Sequence, residues 1–262
     1  MAEIEIRECV VIDELDSCIR LQREVFGLPD LEISPRRHLI VSRQAGGWTL
    51  GAFVNQRMVG FVHHLAAVRG EGEIFGYSHM MAVDPTFQNQ GIGARLKWSQ
   101  RERAIREGRS FIKWTWDPMQ ARNAYFNLNR LGVTVSSYAE NFYGTDYATD
   151  PTLTGAAPAG IDSDRLFADW QLNWRRVSDL ANGVLAFETV PVTADGVIDI
   201  PANWTKLCSE HPGAAKREQL RVRGEFQQAF AAGLVAAGFE RAAEQPRYLL
   251  YQKEELQNLG MV

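Results

Sequence analysis

Two glycines separated by one residue mark the stretch of this sequence best suited to binding a ligand. Gly91 and Gly93 lie in the segment QNQGIGA, which follows an apolar run ending at Val83 and the turn Asp84-Pro85. Glycine has no Cβ, so its backbone can approach a ligand closely. The helix predicted to begin here leaves its first N–H groups without partners, and its dipole adds about half a positive charge at that end. The pattern predicts a site for an anion, above all a pyrophosphate, although an ordinary strand-to-helix turn can contain the same glycines.

The whole string of residues 77–94, YSHMMAVDPTFQNQGIGA, resembles motif A of the GCN5-related N-acetyltransferases (GNAT). In that family the pyrophosphate of acetyl-CoA is bound by a motif that consists of Arg or Gln, two residues, Gly, one residue, and Gly or Ala. This sequence matches the motif at each of these positions. The resemblance implies that acetyl-CoA or another acyl-CoA is the cosubstrate. The scattered cysteines and histidines form no metal-binding pattern, so no metal is expected. The residues of this loop are Gln88, Asn89, Gln90, Gly91, Ile92, Gly93 and Ala94.

The same resemblance implies an α/β fold of the α+β type: a mixed, mostly antiparallel sheet that splays after its central strand, flanked by helices. In the family, CoA lies in that gap and its pantetheine hydrogen-bonds to the backbone of the central strand. By resemblance Met81, Ala82 and Val83 form this contact. One of their N–H groups would also polarise the thioester carbonyl, as in an oxyanion hole.

Acyl transfer to an amine also needs a proton acceptor, and His79 is the candidate on the central strand. Neutral imidazole titrates near pH 6.5, which suits a general base at neutral pH. In the arylalkylamine branch of the family, a histidine at the same offset before the valine of this strand assists deprotonation. The alternative is a histidine that only fills a strand face. Tyr77, on the same face two residues earlier, is a candidate relay or a core residue, and Asp117 at the end of the next strand is the reserve base.

The second half of the family pattern departs from the consensus at an important position. Aligning Ala124 and Gly132 with it puts Leu128 where a tyrosine often protonates the leaving thiolate. Candidates to replace that tyrosine lie on the same predicted helix, and the two asparagines among them are also candidate cofactor contacts: Tyr125, Asn123 and Asn127. No cysteine lies in a recognisable nucleophile setting, so we expect direct attack in a ternary complex without an acyl-enzyme.

A longer string, WTWDPMQARNAYFNLNRLG, together with SHMMAV, NFYG and SDRLFADWQL, is similar to a bacterial GNAT subgroup of long chains. Some members of that subgroup are associated with N-succinylamino acid metabolism. The similarity implies an amino-acid amine as acceptor and leaves open whether the donor group is acetyl or succinyl. A succinyl group would need a cation near its tip, for which Arg122 and Arg130 are available.

The hydrophobic pattern predicts the elements that position these residues. Alternation predicts a hairpin with strands at 48–54 and 58–62, and helical periodicity predicts a helix over 91–107 with Ala94, Trp98 and Ile105 as its apolar stripe. Another helix is predicted over 119–131, ended by Gly132. Residues 144–162 are rich in Gly, Pro, Thr and Ala and predict a long exposed loop.

The order of elements matches a GNAT domain over residues 1–175. Residues 176–262 are interpreted as a C-terminal α/β extension, with strands near 184–190 and 197–200 and a long helix over 213–236. We find no catalytic motif in this part. Its expected role is packing or oligomerisation, and a homodimer is compatible with it.

Composition narrows the class of protein. The chain has 262 residues, of which 45% are hydrophobic and 23% charged, as in soluble globular proteins. A formal net charge of −4 favours neither a nucleic-acid nor a membrane partner. No apolar run approaches the ~20 residues that span a bilayer, and the acidic start is unlike a signal peptide. Three scattered cysteines suit a cytoplasmic location, and the five histidines show no ligand spacing.

Three functions remain open at this point. The first is an N-acyltransferase acting on a small molecule, with an amino acid as one candidate acceptor. The second is a non-catalytic, CoA-binding regulatory protein, favoured by the missing tyrosine and the C-terminal extension. The third is a protein acetyltransferase. Release of free thiol from an acyl-CoA in the presence of amines separates the first from the second.

Overall fold

The structure, a computed structural model, describes residues 3–28, 30–145, 160–184, 190 and 192–260. These residues form two compact units, one of residues 3–113 and one of the remaining described residues from 114 onward. The boundary between the units falls inside a strand. The predicted division into 1–175 and 176–262 is a different one, drawn on family resemblance, and it stays a prediction. Most of the predicted loop over 144–162 and of the predicted strand over 184–190 lies outside the described residues.

The first unit is built on a sheet whose strands follow one another in chain order. They are β1 (Ile4–Glu8), β2 (Trp48–Val54), β3 (Arg57–Arg69), β4 (Glu73–Val83) and the first half of β5 (Phe111–Trp116). Neighbouring strands are antiparallel except β4 and β5, which run parallel. The predicted hairpin is present as β2 and β3. Its turn has two residues rather than three, Asn55 and Gln56, with φ of 48° and 65°, as a tight hairpin turn requires.

Helices cover both faces of this sheet. α1 (Ile12–Phe26) and α2 (Arg36–Gln44) pack on one face, where Leu21 and Leu39 meet Phe61 in one apolar cluster. α3 (Ile92–Arg106) packs on the other face, where Ile92 and Leu96 join a second cluster. β4 therefore lies between helices that pack on both faces of the sheet, and it is the strand around which the unit is built.

The predicted apolar stripe of α3 was wrong. Ala94, Trp98 and Ile105 are only half-buried. The buried stripe instead consists of Ile92, Leu96, Lys97, Gln100 and Ala104. Lys97 and Gln100 lie on this core-facing stripe. A search for a hydrophobic pattern misses the stripe because such long polar residues usually face water.

The second unit begins with the other half of β5 and continues through two helices and a short strand pair. α4 (Ala121–Tyr125) runs directly into one π-helical turn, Phe126–Arg130, which ends before Gly132 with φ of 71°. The helix predicted over 119–131 is thus present, but its second half has the wider π winding. The short strands β6 (Tyr138–Ala139) and β7 (Arg165–Gln171) pair antiparallel, and α5 (Arg175–Ala181) follows.

The C-terminal part of this unit forms a second sheet. Its strands are β8 (Gly196–Asp199), β9 (Leu234–Glu240) and β10 (Arg247–Gln252), in the order β8-β10-β9, and its helices are α6 (Trp204–Glu210), α7 (Pro212–Ala231) and α8 (Lys253–Asn258). Val135 and Ala236 exchange two backbone hydrogen bonds of 2.9 Å each, which joins the second sheet to the segment just before β6.

The long helix predicted over 213–236 was too long. α7 ends at Ala231, Gly233 takes φ of 82°, and the residues from Leu234 onward form β9. The sequence AAGLVAAGF contains four alanines and a leucine, which favour helix. Local propensity therefore hid a strand that tertiary pairing with β10 stabilises.

Candidate active site

The turn between β4 and α3 is held by its own side chains. Asp84 is buried and accepts hydrogen bonds from the Thr86 backbone N–H (3.0 Å) and hydroxyl (2.7 Å). Arg57 donates to the other oxygen of the same carboxylate at 2.7 Å. The hydroxyl of Thr86 and the charge of Arg57 lower the pKa of Asp84. The ionised carboxylate therefore fixes the direction in which the chain leaves β4.

The loop that follows exposes the start of α3. Gly91 is the residue before the helix, with φ of 80°, and no side chain caps the N–H groups of the first turn. A Cβ at Gly91 would meet no atom within 4 Å, so this glycine is required for its backbone conformation and leaves open space beside it. Uncapped N–H groups and open space together are the conditions under which a helix start binds an anion.

Two side chains of the predicted loop stabilise its conformation, and the other side chains described in this loop make no such contact with its backbone. Gln88 donates to the Val83 carbonyl at 3.0 Å, and Gln90 donates to the Thr86 carbonyl at 3.2 Å, so both hold the loop. Asn89 is exposed, with φ of 62°. The side chain of Ile92 belongs to the core, Ala94 is half-buried, and Gly93 lies in the first turn of α3. Any contact of this loop with an anion would therefore use mainly backbone groups.

β4 offers a backbone edge next to this loop. It pairs with β5 at Gly76 and Tyr77, and among the described residues the stretch from Ser78 to Val83 is paired only with β3. Met81 and Val83 lie on this stretch and are half-buried, whereas Ala82 is buried. The edge could accept an extended ligand as an added strand.

A β-bulge in β4 changes where its side chains point. His63 pairs with Met80 and His64 pairs with Ser78, so His79 has no counterpart on β3. Met80 packs into the apolar cluster under α1 and α2, and His79 contacts Ser34 and His38 on that same side. Two successive side chains therefore face α1 and α2, which an unbulged strand would not allow.

His79 lies among polar groups on the α1/α2 side. Its Nε2 is 3.2 Å from the Ser34 hydroxyl, and its ring centroid is 5.5 Å from that of His38. Partial burial and the neighbouring His38 lower the pKa of His79. The ring is still exposed to solvent on one side. An exposed imidazole that is uncharged at neutral pH has the properties of a general base.

On the α3 side of β4 lies a polar network that the sequence did not reveal. The buried amine of Lys97 lies 2.7 Å from the Ser78 hydroxyl and 3.1 Å from Gln100 Oε1. Gln100 Nε2 is 3.2 Å from His64 Nδ1, and Arg109 Nη1 is 3.2 Å from His64 Nε2. Burial lowers the pKa of Lys97 well below its ordinary value. Burial and the nearby cations lower the pKa of His64 to about 2.

Three predicted residues lie in the second unit. Tyr125 is half-buried, and the Arg241 guanidinium lies 5.1 Å from its ring centroid. Asn123 is exposed, and Asn127 is buried within the π-helical turn. Leu128, at the position expected for tyrosine, is completely buried, and its carbonyl accepts a hydrogen bond of 3.0 Å from Arg176.

In the part of the chain that the structure describes, no three acidic, histidine or cysteine side chains are arranged to bind a metal ion. Nor do the described residues contain a helix with the length and apolar character needed to cross a membrane.

Comparison with known proteins shows which family the first part of the chain is similar to. The model of the acetyltransferase (GNAT) family matches residues 15–128. The match includes β4, the Gly91 loop, α3 and α4. A search of the curated proteins found no match.

Solved structures with the same fold come from several bacteria. A protein from Desulfovibrio desulfuricans assigned to the GNAT family is 16% identical, with a TM-score of 0.51 over 65% of this chain and 99% of that one. The ribosomal-protein-S18-alanine N-acetyltransferase from Escherichia coli is 14% identical, with a TM-score of 0.51 over 65% of this chain and 94% of that one. A GNAT acetyltransferase from Streptococcus pneumoniae is 17% identical, with a TM-score of 0.50 over 64% and 98%. At these identities the similarity shows the fold, and it confirms the predicted mixed, mostly antiparallel α/β architecture.

Proposed function

Because residues 15–128 match the model of the GNAT acetyltransferase family, we propose that the chain is an acyl-CoA-dependent N-acyltransferase. It would transfer an acyl group to the amine of a small molecule, with His79 as the general base. The observation that carries this proposal is the arrangement within the first unit. An uncapped helix start, an open strand edge and a solvent-exposed imidazole follow one another along β4 and the start of α3.

The cosubstrate would be held by backbone groups. The N–H groups at the start of α3 would bind the pyrophosphate of an acyl-CoA, and the edge of β4 at Met81 and Val83 would bind the pantetheine. The uncapped N–H groups and the open space at Gly91 fit such an anion. Loss of side chains in this loop should therefore weaken binding less than crowding of its backbone.

In the proposed reaction the amine attacks the thioester carbonyl directly. A C–N bond forms, the C–S bond breaks, and His79 takes the proton that the amine loses. A backbone N–H of β4 stabilises the oxyanion. The released thiolate takes up a proton from solvent, and Tyr125 stays a sequence-based candidate for this step. The carboxamides of Asn123 and Asn127 are not acids and stay candidate cofactor contacts. Leu128 occupies the position at which the family often has a tyrosine. It is buried and cannot act as an acid.

The proposed acceptor is an amino acid, and succinyl is proposed beside acetyl as the donor group. Both rest on the sequence similarity to the long bacterial subgroup. The E. coli relative acts on a ribosomal protein, but at 14% identity that substrate does not carry over. Incubation with acetyl-CoA and succinyl-CoA across a panel of amines and amino acids, followed by assay of free thiol, tests the proposal. Binding of CoA without thiol release from any pair would favour the non-catalytic alternative.

The binding loop is tested with two glycines of equal conformation. Gly91 and Gly108 have φ of 80° and 77°, and in both cases a Cβ would meet no atom within 4 Å. Valine at either position should therefore strain the backbone alike. Only Gly91→Val should weaken CoA binding, by about tenfold or more, as measured by calorimetry. Equal affinities of the two variants would contradict the assignment of the loop.

A further inference from the structure

Three histidine rings from three separate elements meet on the α1/α2 side of the sheet. His38 comes from α2, His63 from β3 and His79 from β4. The ring centroid of His38 is 5.5 Å from each of the other two, and those of His63 and His79 are 6.0 Å apart. Three elements that are far apart in the chain thus place their imidazoles side by side.

Both nitrogens of His63 are committed to other partners. The Ser42 hydroxyl donates to the Leu39 carbonyl at 3.0 Å, so its oxygen is left to accept the proton of His63 Nε2, 3.2 Å away. Nδ1 of the same ring must then accept from the Thr49 hydroxyl at 2.8 Å. Burial and the two neighbouring histidines lower the pKa of His63 to about 3. His63 is therefore held neutral in one tautomer and takes no part in proton transfer.

His38 differs from His63 because one of its nitrogens is uncommitted. Nε2 of His38 is buried and has no hydrogen-bond partner within the described residues. A buried polar atom without a partner is costly and calls for an explanation such as a bound water or a functional role. The rest of the side chain is only half-buried, so the ring reaches from the interior towards solvent.

We propose that His38 is the relay that carries the amine's proton from His79 to solvent, through a water molecule held at His38 Nε2. This inference rests on the proposed function of His79. No hydrogen bond joins the two rings directly, which is why a water is needed between them. His79 takes the proton of the amine and gives one to the water, the water gives one to His38, and His38 releases one to buffer. Both imidazoles end neutral, ready for the next cycle.

The relay would be required when substrate is bound, because the acceptor amine would block the contact of His79 with solvent. In the free protein one side of His79 is in contact with solvent. An acceptor amine placed for attack would occupy that side, so a protonated His79 would lose its direct route to water. His38 supplies a second route to solvent. Ser34 lies just before α2, and its hydroxyl lies 3.2 Å from His79 Nε2 on the same side of the sheet.

The test is the response of turnover to buffer in His38→Gln, which keeps a polar side chain but cannot carry a proton. At low buffer concentration kcat should fall by at least about tenfold, while the KM for the acyl-CoA stays within about twofold. Added imidazole should restore kcat in proportion to its concentration, and the parent enzyme should not respond. His211→Gln is the matched control, because His211 is an exposed histidine in the second unit.

The possible outcomes separate the relay from a packing role and from the proposed function. A lowered kcat that imidazole does not restore, or a kcat equal to that of the parent at every buffer concentration, would overturn the relay alone. If His38→Gln does not fold, as judged by thermal melting, His38→Phe keeps an aromatic ring in place and is judged by the same buffer response. Absence of thiol release by the parent would overturn the proposed function, and the relay with it.

Discussion

Histidine side chains lie on both faces of the sheet around β4, but their surroundings differ. On the α3 side, His64 stacks on Trp48 with ring centroids 4.1 Å apart and has Gln100 and Arg109 within 3.2 Å. On the α1/α2 side, His79 is exposed and His38 keeps an unpartnered nitrogen. A polar group whose partners are all supplied by the protein stabilises one conformation, whereas one left open can exchange protons. We infer that the α3 side fixes the strand and that the α1/α2 side performs the chemistry.

The sharpest test of this difference uses two adjacent residues of β4. His79→Ala should lower kcat by about 10²-fold or more, with CoA binding and the free energy of unfolding nearly unchanged. Ser78→Ala removes a partner of the buried Lys97 amine and should cost about 1–2 kcal/mol of stability, with a much smaller loss of kcat. Steady-state kinetics and denaturant unfolding of both variants give the result. If Ser78→Ala lost more activity than His79→Ala, the assignment of the two faces would be reversed.

A second prediction concerns Lys97, because burial lowers its pKa in the folded protein well below the value in the unfolded chain. The unfolded chain then binds more protons, so stability should increase as the pH rises towards the unfolded pKa of about 10.4. The expected slope is about 1.4 kcal/mol per pH unit over the range in which this difference holds.

Denaturant unfolding at pH 7, 8 and 9 measures this slope. Lys97→Met replaces the amine with an apolar chain of similar length and should remove most of the slope. A variant that gained stability with pH as steeply as the parent would show that folded Lys97 keeps its charge.

The smallest predicted effect is the acid sensitivity of the α3 side. The pKa of His64 is lowered to about 2 by burial and by the nearby cations, against about 6.5 in the unfolded chain. The unfolded state therefore binds the proton first, and stability should fall as the pH drops below about 6.5. Between pH 6.5 and 5.5 the loss should be about 1 kcal/mol. His64→Gln should reduce this loss, and the exposed His211→Gln should not, in thermal melts across that range.

Local signals in the sequence predicted the parts of the fold that depend on neighbours in the chain. The glycine at position 91, the Asp84-Pro85 turn and the alternation in β2 and β3 each impose a backbone conformation by themselves, so the hairpin and the loop before α3 were predictable. The resemblance to a known motif added the fold, which the similar solved structures confirm. The roles of the individual site residues stay predictions.

What the sequence could not predict depends on contacts between distant segments. His38, His63 and His79 have no regular spacing, and only the packing of α2 on the sheet brings their rings together. The buried position of Lys97 was not predicted, because an isolated lysine gives no sign of the serine and glutamine that meet it. The bulge at His79 also cannot be read from alternation, since it consists of a break in that alternation.

The pair of hydrogen bonds between Val135 and Ala236 has a consequence for how the chain avoids self-association. Without β9, the backbone at Val135 would present unpaired N–H and C=O groups at a sheet edge, to which another chain could add. The C-terminal sheet occupies that edge instead. A protein shortened to residue 175 would therefore expose an unpaired strand edge. We expect it to aggregate through that edge, for a reason unrelated to its candidate active site.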